Sequence, residues 1–350
     1  MKDIDLIRYS RPARAGAGRR SRSIKIANTL LLLLLAISTA ALVLILYVSG
    51  ILSKFQYDDQ FTQDDAALGV YKSYEDRITN IALFGVDQRG NESSRSDSIM
   101  VMTIDGKNNK VMLSSFMRDS RVEIEGHGLD KLGHAYMYGG PELAVKTLNQ
   151  NFKLDIRNYV TVNFSQLADI VDAVGGVEIE VKDYEVKQLN KLIRDQRSLG
   201  INGTEIASAG LQTLDGPQAL AYARIRKVGN GDFERTDRQR QVLQSIFNKA
   251  LSLKPLEYPR AANMILPHVT TSLSLNECLG FAGILSQNGV KMEDLRFPLK
   301  KDYEGSGTAM IGGISYVVFD IEATADSVRQ FIFDDINPEE EPATADAAKE

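Results

Sequence analysis

The sequence predicts an α/β protein: a single domain over residues 77–335, preceded by an N-terminal transmembrane helix. Three observations carry this. Strand-like and helix-like segments alternate along residues 78–335 with no recurring period, which is the pattern of one α/β domain and not of a repeat array. No charge interrupts the 28 residues between Lys25 and Lys54. The 350 residues are 43% hydrophobic and 25% charged, an ordinary balance for a chain that buries a core.

The elements follow in order. Residues 1–25 carry eight basic and two acidic side chains and read as a basic stub. Leu30–Val48 is almost purely apolar, and its 19 residues as a helix reach roughly 30 Å, the thickness of a bilayer core. A cleaved signal peptide shares the basic start, but its apolar region usually stops sooner than this one. The expectation is an uncleaved anchor over 26–52, with the Arg-rich side in the cytoplasm and everything after it outside the cell membrane. Residues 53–76 are polar and acidic and read as a stalk. Residues 78–86, 98–104 and 110–116 read as strands, the last two joined by the turn Asp105–Asn109. Pro141 opens a helix. A strand at 158–163 precedes a helix at 164–174, which Gly175-Gly176 stops. A strand at 177–181, a charged helix at 184–199, a helix opened by Gly216-Pro217 and a long amphipathic helix at 235–253 come next. A helix after Ser274, a strand near 295–299, a strand at 315–322 and a helix at 323–335 complete the domain. The tail, 336–350, is acidic and rich in Ala and Pro, a composition that favours disorder.

Composition also excludes. Forty-one basic against 46 acidic residues give a net charge of −5, which argues against nucleic acid as a partner. The single cysteine, Cys278, forbids a disulfide framework and reads as a packing residue in a helix. Three histidines leave little for a zinc site. No phosphate-loop, zinc-protease or nucleophile-elbow motif is present.

Arginine beside aspartate recurs at strand ends and helix starts. Asp87, Arg89, Arg95 and Asp97 form one cluster. Arg118, Asp119 and Arg121 form the second, Arg224 and Arg226 the third, and Asp232, Arg235, Asp237, Arg238 and Gln239 the fourth. Arginine grips phosphate oxygens in a two-pronged fashion and keeps its charge. Several arginines with one or two carboxylates suit a pyrophosphate, the carboxylates holding Mg²⁺ or accepting a proton. Exposed salt bridges are the plain alternative for any single pair. Against that, Asp87 and Arg118 directly follow apolar strands, where α/β sites collect. Arg224 and Arg226 share one side only if that segment is extended. The apolar faces of 164–174 and 235–253 read first as core, and alternatively as walls for a lipid tail.

In this order, NIALFGVDQR, RSDSIMV, LSSFMRDSRVEI, KLGHAYMYGGPELAVKTLN, YVTVNF, LDGPQALAYARIR and GDFERTDRQRQVL make the chain resemble the LytR-CpsA-Psr family of bacterial cell-wall glycopolymer ligases, over about Ile78 to Leu253. The resemblance implies a mixed central sheet flanked by helices, a pocket for a polyprenyl chain, and a pyrophosphate held by arginines with Mg²⁺. It assigns Asp87 and Asp97 to the metal and to catalysis, and Arg118 to catalysis. Arg89, Arg118, Arg121, Arg224, Arg226, Arg235, Arg238 and Gln239 would bind the pyrophosphate, with Arg95 and Asp119 orienting them. One departure stands out: relatives commonly carry Asn after the Lys-Leu pair, where this chain has Gly133, and His134 is then expected to be structural.

The expected activity is transfer of a glycan-1-phosphate from undecaprenyl pyrophosphate to peptidoglycan, the glycan being teichoic acid, capsule or a similar polymer. Hydrolysis of the pyrophosphate would be a side activity. A non-catalytic lipid or glycan binder is the alternative. A transcription regulator is disfavoured by the anchor, the acidic exterior and the lack of a DNA-binding motif.

Overall fold

The computed structural model describes residues 49–50, 53–72, 78–86, 94–229, 231–254, 257–285 and 290–339. The basic stub, nearly all of the expected span, Asp87, Arg89 and the end of the tail lie outside these residues. No helix among the described residues is long and apolar enough to cross a membrane. The chain divides after Ser53, and everything below concerns the unit from Lys54 onward.

Seven strands form the main sheet: β1 (Gln56–Tyr57), β2 (Ile78–Val86), β3 (Ser96–Asp105), β4 (Lys110–Phe116), β7 (Asn158–Asn163), β10 (Val269–Thr271) and β11 (Lys291–Phe297). Three two-stranded sheets stand apart from it: β5 (Arg121–Ile124) with β6 (Gly128–Lys131), β8 (Val177–Val181) with β9 (Gly210–Leu214), and β12 (Thr308–Ile311) with β13 (Ile314–Val317). The sheet order is β1-β10-β7-β2-β3-β4-β11. β7 pairs parallel with β2, and β4 parallel with β11, while β3 runs antiparallel between β2 and β4. The sheet is therefore mixed, and β7, β2, β4 and β11 all end at the same edge.

Side chains alternate across a strand, so a sheet covered on both faces reads as continuous apolar sequence. β2 and β3 show this. Ala82, Phe84, Ile99 and Val101 face one way, onto helix α1 (Leu132–Phe152) and helix α8 (Ile321–Ile332) through Leu148, Phe152, Val328 and Phe331. Ile81, Met100, Met102 and Ile104 face the other way, toward helix α5 (Gly231–Ser252) and helix α7 (Leu275–Leu285). Phe116 lies 4.6 Å from Phe152 and 5.8 Å from Phe297 between ring centroids, fixing α1 across the β4–β11 pair. Each such buried ring contributes about 2–3 kcal/mol. A second core joins β8 and β9 to helices α2 (Phe164–Ala173), α3 (Asp183–Arg197) and α4 (Gly216–Ala223). Helix α6 (Tyr258–Ile265) leads into β10.

Several expectations shift. The described part of the stalk packs on the domain: β1 extends the sheet edge, Phe61 and Leu68 are buried in the first core, and the Tyr159 hydroxyl donates to Asp58 at 2.5 Å. Its acidic character misled because Asp58 and Asp65 are partners of the domain, the latter of Arg157 at 2.6 Å. The helix expected from Pro141 begins at Leu132 and is interrupted at Gly139-Gly140, so the proline starts its second half. The strand expected over 315–322 is shorter, because the Asp320 carboxylate accepts the Ala323 N–H and starts α8. Cys278 is half-buried against the second sheet face, and burial raises its thiol pKa. At the turn after β3, Asp105 accepts the backbone N–H groups of Lys107 and Asn108, both at 3.0 Å.

Candidate functional site

The shared strand edge gathers the candidate residues. Antiparallel pairing puts the start of β3 beside the end of β2, with Val86 opposite Ser96, and Ile99 opposite Phe116 at the end of β4. Asp97 and Arg118 thus meet by topology, although 21 residues separate them. The Arg118 guanidinium donates from Nη1 to Asp97 and, at 3.4 Å from Nε, to Asp119. Lys131, the last residue of β6, donates from Nζ to the other Asp119 oxygen at 2.7 Å. Burial pushes the Asp119 carboxyl up, but the Lys131 hydrogen bond and the charges of Arg118, Lys131 and Arg235 outweigh it and hold the pKa low. Asp119 therefore stays ionised as the strut between two cations.

The α1 backbone locks this geometry. The Gly133 N–H donates to the Arg118 carbonyl at 2.8 Å, and the Leu132 N–H to the Ser120 carbonyl at 2.9 Å. A Cβ on Gly133 would stand 2.7 Å from the Ser96 carbonyl oxygen and 3.2 Å from Arg118 Cβ. Any side chain there would push Arg118 and the start of β3 apart, so the glycine that departs from the family pattern is needed by this packing.

Helix α5 sorts its polar residues onto three faces. Arg235 and Gln239, one turn apart, are buried toward the site. Gln239 Oε1 has no hydrogen-bond partner among the described residues. Arg238 points elsewhere. Nε meets Glu185 at 2.7 Å, Nη2 meets Glu234 at 2.6 Å and Nη1 meets the Ile225 carbonyl at 3.1 Å, and the side chain is 2% exposed. That commitment corrects the expectation of phosphate binding by Arg238. On the third face Asp237 accepts Arg296 at 2.8 Å and ties α5 to β11. The Arg296 guanidinium lies 5.1 Å from the Phe233 ring.

The other candidates scatter more widely. Arg224 caps α4 in αR geometry, not in the extended chain that would align it with Arg226; Arg224 is half-buried and Arg226 exposed. Arg121 is half-buried, with its guanidinium 5.9 Å over the Tyr316 ring. Arg95 is exposed. Asp87, Arg89 and the Asp232 side chain lie outside what is described. Among the described residues no group of three His, Cys, Asp or Glu could hold a metal. Magnesium needs less than that, since one or two carboxylates suffice when substrate phosphates supply further oxygens. Asp97, with its side chain 31% exposed, is a donor of the right kind.

Behind the arginines lies a cavity of about 250 Å³ with almost wholly apolar walls. Its sides come from β2, β3 and β7 (Leu83, Met100, Val160) and from α5 (Val242, Ile246, Phe247). Its polar end is formed by Gly85, Ser98 and Gln239, next in sequence to Asp97 and one helical turn from Arg235. Both apolar helix faces line it, α2 through Leu167 and Ile170. Sequence reasoning missed Lys131 and Ser98. Lys131 was legible only as a cation at the end of a strand too short to recognise.

Known proteins resemble this chain in sequence and in fold. The LytR_cpsA_psr family matches residues 44–330. The polyisoprenyl-teichoic acid–peptidoglycan teichoic acid transferase TagU of Bacillus anthracis is 34% identical over 272 residues, 77% of this chain and 82% of that protein. A solved structure of TagT bound to LIIa-WTA matches with a TM-score of 0.62 at 26% identity, covering 79% of this chain and 98% of that one. The LytR-CPS2A-psr family protein YwtF (TagT) with bound octaprenyl pyrophosphate lipid matches with a TM-score of 0.55 at 28% identity, covering 75% and 93%. On residues, fold and relatives together, this chain belongs to the LytR-CpsA-Psr family.

Proposed function

We propose that this chain transfers a glycan-1-phosphate, of teichoic acid or a similar wall polymer, from an undecaprenyl pyrophosphate carrier to a hydroxyl of peptidoglycan. The observation that carries the reading is the juxtaposition of an apolar cavity with an arginine–carboxylate cluster at its polar end. An isoprenoid chain is excluded from water by such walls, and its pyrophosphate would be left among Arg118, Arg235 and Gln239. A TagU relative and a TagT with octaprenyl pyrophosphate lipid support the same substrate class.

In the proposed step an acceptor hydroxyl oxygen attacks the phosphorus that bears the glycan. A new P–O bond forms there as the bond to the lipid phosphate breaks, and undecaprenyl phosphate leaves. The hydroxyl proton passes to a carboxylate, Asp97 or Asp87. Such transfer needs positioning and charge neutralisation more than covalent chemistry. Arg118 supplies a fork already aimed by Asp97 and Asp119, and Arg235 supplies a second, buried charge. Bound Mg²⁺ would neutralise phosphate charge, with Asp97 and Asp87 as its protein ligands. The apolar span over 26–52 would anchor the chain in the cell membrane with residues 53–350 outside. Water in place of the acceptor would give slow pyrophosphate hydrolysis.

The test uses the full chain in detergent micelles with a lipid-linked glycan, peptidoglycan and Mg²⁺. Polymer appearing on peptidoglycan, lost on chelation, is the expected result. Tight lipid binding with no transfer in any divalent metal would instead establish the non-catalytic binder.

A further inference from the structure

Beside the phosphate cluster the structure holds a second group of side chains that the proposed chemistry does not use. It is built on Asp130, in β6. His134 Nδ1 lies 2.8 Å from Asp130 Oδ2, the Tyr138 hydroxyl donates to the same oxygen at 2.7 Å, and the Tyr316 hydroxyl donates to Oδ1 at 3.3 Å. Burial opposes the charge on Asp130, but the hydrogen bonds from His134, Tyr138 and the Lys131 backbone prevail and bring its pKa down to about 2. The carboxylate thus fixes three rings from two separate elements, His134 and Tyr138 of α1 and Tyr316 of β13. His127, in the turn of the β5–β6 hairpin, then stacks on Tyr138, with centroids 4.0 Å apart and planes 8° from parallel. Both stacked residues are exposed, Tyr138 at 38%.

The group is contiguous with the arginine cluster. Lys131 lies 5.7 Å over the Tyr316 ring while donating to Asp119, and Asp119 in turn holds Arg118. On the other flank the charge of Arg95 acts on Tyr138. The sequence therefore runs from phosphate-binding cations to an exposed, flat aromatic face edged by Arg95, Asp130 and Lys131. The stack contributes only about 0.5–1.5 kcal/mol to the fold, and its outer ring faces stay bare. Flat rings with charged and hydroxyl groups at their edge suit a pyranose ring. Its C–H face packs on the aromatic face while its hydroxyls meet the polar rim.

We infer that the His127–Tyr138 stack, held by Asp130 and bordered by Arg95 and Lys131, is a saccharide-binding subsite next to the reacting phosphate. The inference rests on the transfer reading above and deepens it. In-line displacement sends the lipid phosphate toward the cavity and brings the acceptor hydroxyl from the opposite side, while the donor's glycan stays attached to the same phosphorus as an equatorial substituent. Two sugars meet there: the acceptor glycan of peptidoglycan and the first residues of the donor's own glycan.

His127→Ala is the discriminating variant, because the ring stacks on Tyr138 and makes no contact with the Asp130 carboxylate in the hydrogen-bond network. Tyr138→Phe keeps the ring and removes its hydrogen bond, and so serves as the conservative comparison. The full chain in micelles is titrated with peptidoglycan fragments, with a glycan-bearing polyprenyl pyrophosphate, and with bare octaprenyl pyrophosphate. The expected effect of His127→Ala is a roughly five- to tenfold weaker apparent affinity for one saccharide ligand, in KM more than in kcat, with smaller loss for Tyr138→Phe. A shift confined to the peptidoglycan fragments assigns the shelf to the acceptor; one confined to the glycan-bearing donor assigns it to the donor. Equal weakening toward bare octaprenyl pyrophosphate, or no change toward any ligand, would overturn the subsite. A wild-type chain that binds bare octaprenyl pyrophosphate but transfers nothing would defeat the transfer reading, while saccharide titrations would still judge the shelf.

Discussion

Arg118 joins three kinds of demand in one side chain. Its guanidinium is braced by Asp97 and Asp119, its carbonyl is taken by Gly133, and its Cβ leaves room at Gly133 for hydrogen only. Such a side chain loses little freedom when a phosphate binds, which is the advantage of a preset electrostatic group. Arg118→Ala should lower transfer by about two to three powers of ten. Arg118→Lys should recover little of it, because an ammonium keeps the charge but cannot reproduce the fork. Turnover with a lipid-linked glycan, beside a thermal unfolding curve, reads both; near-normal rates in the lysine variant would show that charge alone suffices. Asp130 gives a pH prediction. Its folded pKa of about 2 lies below the ordinary carboxylate value of 3.8, so its stabilisation is fully present above about pH 4 and fades as pH falls toward 2. The amount is on the order of 2 kcal/mol. Denaturant midpoints of wild type and Asp130→Asn through that range should converge toward acid pH, and a constant gap would disprove the assignment.

Helix α5 shows how one element serves site and scaffold at once. Positions 235 and 239 point to the phosphate cluster, 238 to Glu185, Glu234 and Ile225, and 237 to β11. The Arg238–Glu185 pair is buried on both sides, and breaking such a pair strands a charge at a cost of about 3–5 kcal/mol. Arg238→Ala should therefore lower the unfolding midpoint strongly, while the fraction that folds still binds octaprenyl pyrophosphate. Loss of binding without loss of stability would return Arg238 to the phosphate site. The same helix explains what the sequence could disclose. The longer elements were legible, β2 and β4 as unbroken apolar runs buried on both faces and α2 and the body of α5 because burial on one face writes a period. The short strands β5, β6 and β12 were not, since four residues of strand carry too little alternation to read. Motif position identified Arg118 and Asp97 because each adjoins an apolar strand. It overreached at Arg238, which sits about 60° round the helix from Arg235 and is drawn to a different side by Glu185, Glu234 and the Ile225 carbonyl.

At the scale of the whole molecule, the fold keeps a hole in its own core. The sheet face that meets α1 and α8 is closed by aromatic packing, whereas the opposite face retains about 250 Å³ between β2, β3, β7, α2 and α5. An apolar cavity of that size stays dry and costs stability in proportion to its volume. Natural selection keeps such a defect where a ligand fills it, and a ligand that binds only the folded chain returns the stability in proportion to its occupancy. Two linked outcomes follow. Octaprenyl pyrophosphate should raise the thermal midpoint of the wild-type chain in micelles, by an amount that grows with lipid concentration. Val162→Phe, which places a ring among Leu83, Leu167 and Val269, should raise the midpoint without lipid, abolish the lipid-dependent increase, and remove transfer while Arg118 and Asp97 stay in place. A paired Val162→Ala chain, with a larger hole, should be less stable alone and gain more from the lipid. If Val162→Phe stabilises the chain and the lipid still raises its midpoint as in wild type, the isoprenoid sits elsewhere, and the arginine cluster must be reached from outside the domain.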